Sequence, residues 1–313
     1  RIVEALNARR RYTIRVKDDL PPGAPDAIEV KNVRGLRAAD TEAVVAAVAE
    51  ADVIGTAVGA AVLPKILPSI AAGLGRRNRP VSILLCENLR DASRIAAEGL
   101  AARLPSGYPL KERVGLVETS IGKMVPIMPA EVVARAPLEV WAEAYNQIVA
   151  DAEGFLGTPL SVEGLVLKRH FAAYVDRKLF IHNLGHAAAA YHGCLAGKTY
   201  LWECMETPAV RREAEAAMWE SARGLIARCP AEFSEANQRE HIEDLLRRFH
   251  NRALGDTVFR VGRDLARKLA PNDRCVGGLR LVAATGGDPE PVCRTIAAAL
   301  HFAAKDEQGK MFP

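Results

Sequence analysis

The stretch KLFIHNLGH, residues 178 to 186, concentrates Lys178, His182, Asn183 and His186 in one short segment. Two histidines four apart have the spacing of a metal site on one helix face. A metal-free alternative uses Lys178 as proton acceptor, Asn183 as donor to an alkoxide or carbonyl oxygen, and His186 to orient or donate. Alcohol oxidation needs that set. A lysine on a packed helix suits the role, because desolvation disfavours its charged form. The third reading is purely structural: a solvated lysine beside a hydrogen-bonded core histidine. Against a metal, the residue after His182 is Asn183 rather than the glutamate of a HExxH hydrolase, and Lys178 repels a dication. No metal ligand is expected, and the other two readings both stand on these residues.

On an α-helical wheel with Lys178 at zero, His182 falls near ~40°, His186 near ~80° and Asn183 near ~140°, and Phe180, Ile181 and Leu184 lie between ~200° and ~300°. The segment therefore reads as an amphipathic helix with an apolar back and a polar face toward a cleft. Gly185 would let a backbone or ligand come close.

The elements that must position this helix begin with a parallel-sheet pattern. Short apolar runs alternate with helical ones through the first half. YTIRV (12–16), DVIGTAV (52–58), VSILLC (81–86) and RVGLVET (113–119) read as strands. Asp40 and Thr41 open a helix, Pro64 and Pro68 break a second, and 89–104 forms a third. This predicts an α/β Rossmann-type domain containing a βαβαβ run. The strand ends bearing Thr56, Ala57 and Val58, then Asn88, then residues 119–123 would line one crevice, since ligands bind outside the carboxyl ends of such strands. Small polar residues also simply mark strand ends and turns. From about residue 130 the pattern turns helical, with one further strand expected at GLRLVAA (278–284). In 241–255, Ile242, Leu245, Leu246, Phe249 and Ala253 make one apolar stripe that Gly255 ends. Segment 209–229 buries Val210, Ala214, Met218, Leu225 and Ile226 in the same way. GFLGTPL (154–160) divides the chain into a sheet domain, 1–157, and a mainly helical domain, 158–313.

Composition narrows the function classes. With 49% hydrophobic and 26% charged residues, the chain is an ordinary globular sequence, and no apolar run reaches the ~18–20 residues of a membrane helix. The net charge of +4 is small and the basic doublets are scattered, so nucleic acid is not an expected partner. Six cysteines without a CxxC pair argue for free buried thiols rather than disulfides or a zinc site. Arg1 opens a charged segment with no apolar stretch behind it, so no secretory signal and a cytoplasmic location are expected. The partner expected is a small molecule, bound by a monomer or small homo-oligomer.

Lys178, Asn183 and His186 form KxxxxNxxH, which resembles the catalytic signature of the polyol-specific long-chain dehydrogenases, the mannitol dehydrogenase family. ALNARRRYTIRV (5–16), ADVIGTAVG (51–59), LLCEN (84–88), YVDRKLF (174–180) and RFHNRALGDTVFRVGRDLARKL (248–269) stand in the family's order. RKLFIHNLGHA (177–187) is most similar to its mannitol-1-phosphate 5-dehydrogenase branch. The resemblance implies a metal-independent NAD-dependent oxidoreductase interconverting a polyol phosphate and a ketose phosphate. A hexuronate reductase or a mannitol 2-dehydrogenase of the same family is the enzymatic alternative. It makes Lys178 the general base in oxidation, with Asn183 and His186 polarising and aligning the substrate oxygen. Asn88 shapes the site between substrate and cofactor, Arg260 and Lys268 meet substrate phosphate or hydroxyls, and Thr56, Ala57, Val58 and Asn88 face NAD. Two departures stand out. The chain contains no GxGxxG and opens at what corresponds to the segment after the second Rossmann strand. That implies either a truncated dehydrogenase or a version with impaired NAD binding, a non-catalytic remnant serving in binding or assembly. In TSIGKMVP (119–126), Gly122 and Lys123 occupy positions where the family usually carries aspartate and arginine.

Overall fold

Apolar alternation in the first half becomes two sheets in a computed structural model that describes residues 1–306 and 308–312. Their strands are β1 (Arg11–Val16), β2 (Ala27–Lys31), β3 (Val53–Thr56), β4 (Val81–Leu85), β5 (Val114–Ile121), β6 (Glu139–Ala142), β7 (Ile148–Asp151) and β8 (Leu165–Lys168). The larger sheet has the order β3-β4-β5-β7-β8. Its first three strands are parallel, as the βαβαβ pattern requires, whereas β7 runs antiparallel to β5. The smaller sheet, β2-β1-β6, pairs β1 antiparallel with β2 and parallel with β6.

The sheet is thus mixed, and YTIRV lies outside its parallel core. β6, β7 and β8 were not expected; with four residues each, they are too short for alternation to separate strand from loop. GLRLVAA, expected as a strand, is the end of the Arg274–Ala284 helix. A brief apolar run suits either state, and here Gly277 and Gly278 seat that helix against Phe180 and Leu184.

Between strands, the Thr41–Glu50 helix begins where Asp40 accepts a hydrogen bond from the Ala43 amide at 3.1 Å. The Leu63–Gly75 helix runs through Pro68 without the expected break and buries Leu63, Leu67, Ile70 and Leu74 in one cluster with Ile83 and Leu85 of β4. The sheet reaches Lys168 and the helical half starts with Phe171–Arg177. In the helical half, Ile181, Leu184, Met218, Leu225, Ile242, Leu245, Leu246 and Phe249 share one core. Ala253 leaves the expected stripe: the Glu235–Phe249 helix ends earlier, and Leu254 is buried from a 3-10 turn. Gly255 ends that turn at φ +60°, which a side chain would disfavour. All six cysteines are free; Cys204 and Cys275 are buried and Cys293 is exposed. Among the described residues no helix is long and apolar enough to cross a membrane.

A buried ion pair ties the two halves together. Arg248, in the last turn of Glu235–Phe249, donates from Nε to Glu143 Oε2 at 2.8 Å. Its Nη2 donates to the same carboxylate and to the Gly122 carbonyl. Glu143 also accepts from the Met124 amide, and the guanidinium lies 4.0 Å from the centre of the Tyr145 ring. One side chain thus fixes the segment after β5 against the helices. Arg248→Met strands a buried carboxylate and should lower unfolding stability by about 3–5 kcal/mol. Urea titration measures this, and pairing the change with Glu143→Leu should recover part of the loss.

Candidate active site

The Lys178–Asn183 segment is not α-helical but one π-turn, entered from Phe171–Arg177 and leaving into the Leu184–Leu195 helix. Hydrogen bonds from i to i+5 stack Lys178 and Asn183 more nearly in register than an α-wheel allows, and such turns recur at functional sites. Apolar packing of Phe180, Ile181 and Leu184, all buried, holds the back of the turn. Gly185 does allow a close approach, but by a side chain rather than the expected backbone or ligand. It packs against the Met218 side chain, where a Cβ would come within 2.3 Å of the sulfur.

Two clefts meet at this turn. The first, about 520 Å³, runs along the carboxyl ends of β4 and β5 past Glu118, Thr119 and Ser120. The second, about 450 Å³, is bounded by Gly122 and Lys123 on one side and by His182, His186, Asp256 and Arg260 on the other. Asn88, Lys178 and Asn183 line both. A group reacting between two bound molecules belongs on such a shared wall.

Lys178 Nζ donates to Asn88 Oδ1 at 3.1 Å. Burial, reinforced by the Arg274 charge, lowers the Lys178 pKa to about 8, so the neutral amine is accessible near physiological pH. His186 stacks on Phe249 with ring centres 4.8 Å apart, and its Nε2 lies 3.6 Å from Asp256 Oδ2. Burial and the Arg260 charge push its pKa down to about 3, which keeps the imidazole neutral. His182 is also buried, with its pKa held well below the usual value, and its ring sits 5.7 Å from Phe249. Lys123 is half-buried, donates to the Tyr145 carbonyl, and has its pKa lowered by burial. Among the described residues no group of three or more His, Cys, Asp or Glu side chains is disposed to hold a metal ion.

The other expected residues divide. Arg260 lines the second cleft and is ion-paired with Asp256. Lys268 is buried and donates to the carbonyls of Val261 and Arg263; it lines neither cleft. Thr56 is buried with its hydroxyl on Glu87 Oε2 at 2.7 Å, and the Val58 amide donates to Glu87 Oε1 at 3.1 Å. Ala57 and Val58 are exposed beyond the end of β3, an edge strand paired only with β4 among the described residues.

A dinucleotide fits the first cleft at the end nearest Lys178, where the β4 and β5 termini and Asn88 wall it. The sequence pattern alone does not mark Glu87, Glu143, Arg248 and Asp256 as site residues. Glu87 adjoins Asn88 at a strand end, and Asp256 precedes Arg260 by four residues, the spacing of a helical ion pair. Those were the available signals.

Residues 1–164 match the mannitol dehydrogenase Rossmann domain and residues 170–313 match the mannitol dehydrogenase C-terminal domain. Among solved structures, Pseudomonas fluorescens mannitol 2-dehydrogenase, in a ternary complex with NAD and D-mannitol, is similar. It has 18% identity and a TM-score of 0.74 over 99% of this chain and 72% of that one. A substrate-free D-sorbitol dehydrogenase matches with 19% identity and a TM-score of 0.79, over 99% and 73% of the two chains. At such identities the likeness is one of fold, while the domain matches cover both halves of the sequence. The chain belongs to the mannitol dehydrogenase family of oxidoreductases.

Proposed function

We propose that the protein is a metal-independent, NAD(H)-dependent dehydrogenase that interconverts an open-chain polyol and its ketose. The observation that carries this reading is the wall of Asn88, Lys178 and Asn183 common to two clefts, with the Lys178 amine partly desolvated. Bound in the first cleft, NAD+ would accept a hydride from the carbinol carbon, and NADH would return it.

The chain's own residues handle the oxygen. Neutral Lys178 takes the hydroxyl proton in oxidation and returns it in reduction. Asn183 donates to the developing alkoxide from a rigid turn, so little reorganisation is needed as charge develops. Asn88 accepts from Lys178 and aims its amine at the shared wall. His186, neutral and stacked on Phe249, aligns the substrate from the second cleft.

For the substrate, the named relatives act on free mannitol and sorbitol, which supports an unphosphorylated polyol. A second reading, a polyol phosphate such as mannitol 1-phosphate, draws on Lys123 and Arg260 flanking the second cleft. A hexuronate would also meet those cations. Comparing kcat/KM for mannitol, mannitol 1-phosphate and a hexuronate separates the readings. If the phosphate reading holds, Lys123→Ala should raise KM for the phosphorylated substrate about 10-fold and leave mannitol little changed.

Two further outcomes are expected. With Lys178 as base, oxidation should rise with pH as the amine deprotonates and level off above about 8, whereas reduction should fall over the same range. Lys178→Met should cost about 10²–10⁴-fold in kcat and remove that dependence. NADH fluorescence titration of the 313-residue protein tests the cofactor: no binding up to millimolar NADH would instead favour a non-catalytic remnant.

A further inference from the structure

Asp256 is a buried carboxylate in the wall of the second cleft, and neither the proposed proton transfer nor hydride transfer uses it. Its backbone is held on both sides. The Asp256 carbonyl accepts from the Leu201 amide at 2.9 Å, and the next residue, Thr257, caps the Val258–Gly262 helix through its hydroxyl. The carboxylate is therefore rigidly presented. One oxygen pairs with Arg260, and the other lies 3.6 Å from His186 Nε2.

That nitrogen is sealed from solvent and has no hydrogen-bond partner, while the ring is stacked on Phe249. A neutral imidazole carries one N–H, and an ionised carboxylate can only accept. With Arg260 paired on the other oxygen, the carboxylate turns an acceptor toward His186. If the proton of His186 sat on Nδ1, the Nε2 lone pair would face a carboxylate lone pair in a buried place. The opposite tautomer turns that repulsion into attraction, and a contact of this length can shorten when ligand closes the site.

We propose that Asp256 is a positioning residue: with Arg260 neutralising its far side, it holds the proton of His186 on Nε2 and leaves Nδ1 to meet the substrate as an acceptor. His186 then takes a hydrogen bond from a substrate hydroxyl and does not donate to the carbonyl oxygen. Donation to the oxygen at the reacting carbon falls to Asn183 and protonated Lys178. A site of this kind recognises a substrate that offers a hydroxyl donor beside the reacting carbon, since the analogue lacking it leaves a buried acceptor unmatched. The substrate part of this argument rests on the dehydrogenase reading; the tautomer does not.

The test is 15N NMR of histidine-labelled protein without substrate, with the His186 signals assigned by their loss in His186→Gln. The wild-type protein should show a protonated Nε2 and an unprotonated Nδ1. Asp256→Asn, whose amide can donate to Nε2, should shift the population toward Nδ1–H and lower kcat/KM about 10- to 100-fold. Asp256→Glu should retain the wild-type tautomer and part of the activity. A wild-type Nδ1–H tautomer would overturn the proposal, as would an Asp256→Asn protein with unchanged tautomer and kcat/KM within about twofold of wild type. If Asp256→Asn does not fold, the wild-type tautomer decides alone. A protein without dehydrogenase activity that still carries Nε2–H would sink the functional reading and leave the positioning role standing.

Discussion

The buried pair of Arg248 and Glu143 is the constraint on which the site's geometry depends. Both side chains are almost fully shielded, so each would be costly to bury alone. Together they occupy a place where the helical half grips the segment after β5, through the Gly122 carbonyl and Met124 amide. Phe249, the residue after Arg248, carries the ring on which His186 stacks. The last turn of one helix therefore sets two relations at once: where one edge of the second cleft lies, and which way the histidine is turned. A hydrophobic pair of similar volume could hold the halves together as firmly, but it would not specify this register through backbone groups.

How much of this was legible follows from what each feature depends on. The site residues at 178, 183 and 186 are readable because the resemblance to the family rests on those residue types at that spacing. The π-turn was not, since Phe180, Ile181 and Leu184 repeat as they would in an α-helix and the extra residue per turn leaves no periodic mark over six residues. The parallel strands were legible from apolar runs bounded by polar ends. The three four-residue strands were not, because pairing with longer neighbours, rather than their own composition, makes them strands.

The same distinction separates the charged residues. The resemblance makes Lys268 a substrate contact, and in the structure its amine donates to carbonyls at the end of the Val258–Gly262 helix. Thr56 stands at a strand end, but Glu87 claims its hydroxyl. Asp256 and Glu87 resemble ordinary acidic residues in the sequence, and only burial with particular partners gives them weight. Gly122 is informative in a different way. A Cβ there would lie 3.6 Å from the His182 ring, an ordinary contact, so the glycine leaves space at the cleft that no backbone constraint requires.

The proposed proton transfer further requires that Asn88, on the sheet side, stay in register with Lys178, on the helix side. Their hydrogen bond alone would be a weak tether, since it is exposed and the proposed proton transfer would change the protonation state of one member. Two residues along the chain from each, a second link crosses the same gap: Arg90 pairs with Asp176, which also holds Arg228 of the Pro208–Arg228 helix. Asp176 precedes Lys178 on the incoming helix, and Arg90 follows Asn88 in the loop after β4. The ion pair therefore spans the same gap as the Lys178–Asn88 hydrogen bond but would keep its charges if Lys178 gave up a proton. Separating attachment from the proposed chemistry in this way would let the amine change partner, from Asn88 to a substrate hydroxyl, without releasing one half of the molecule from the other.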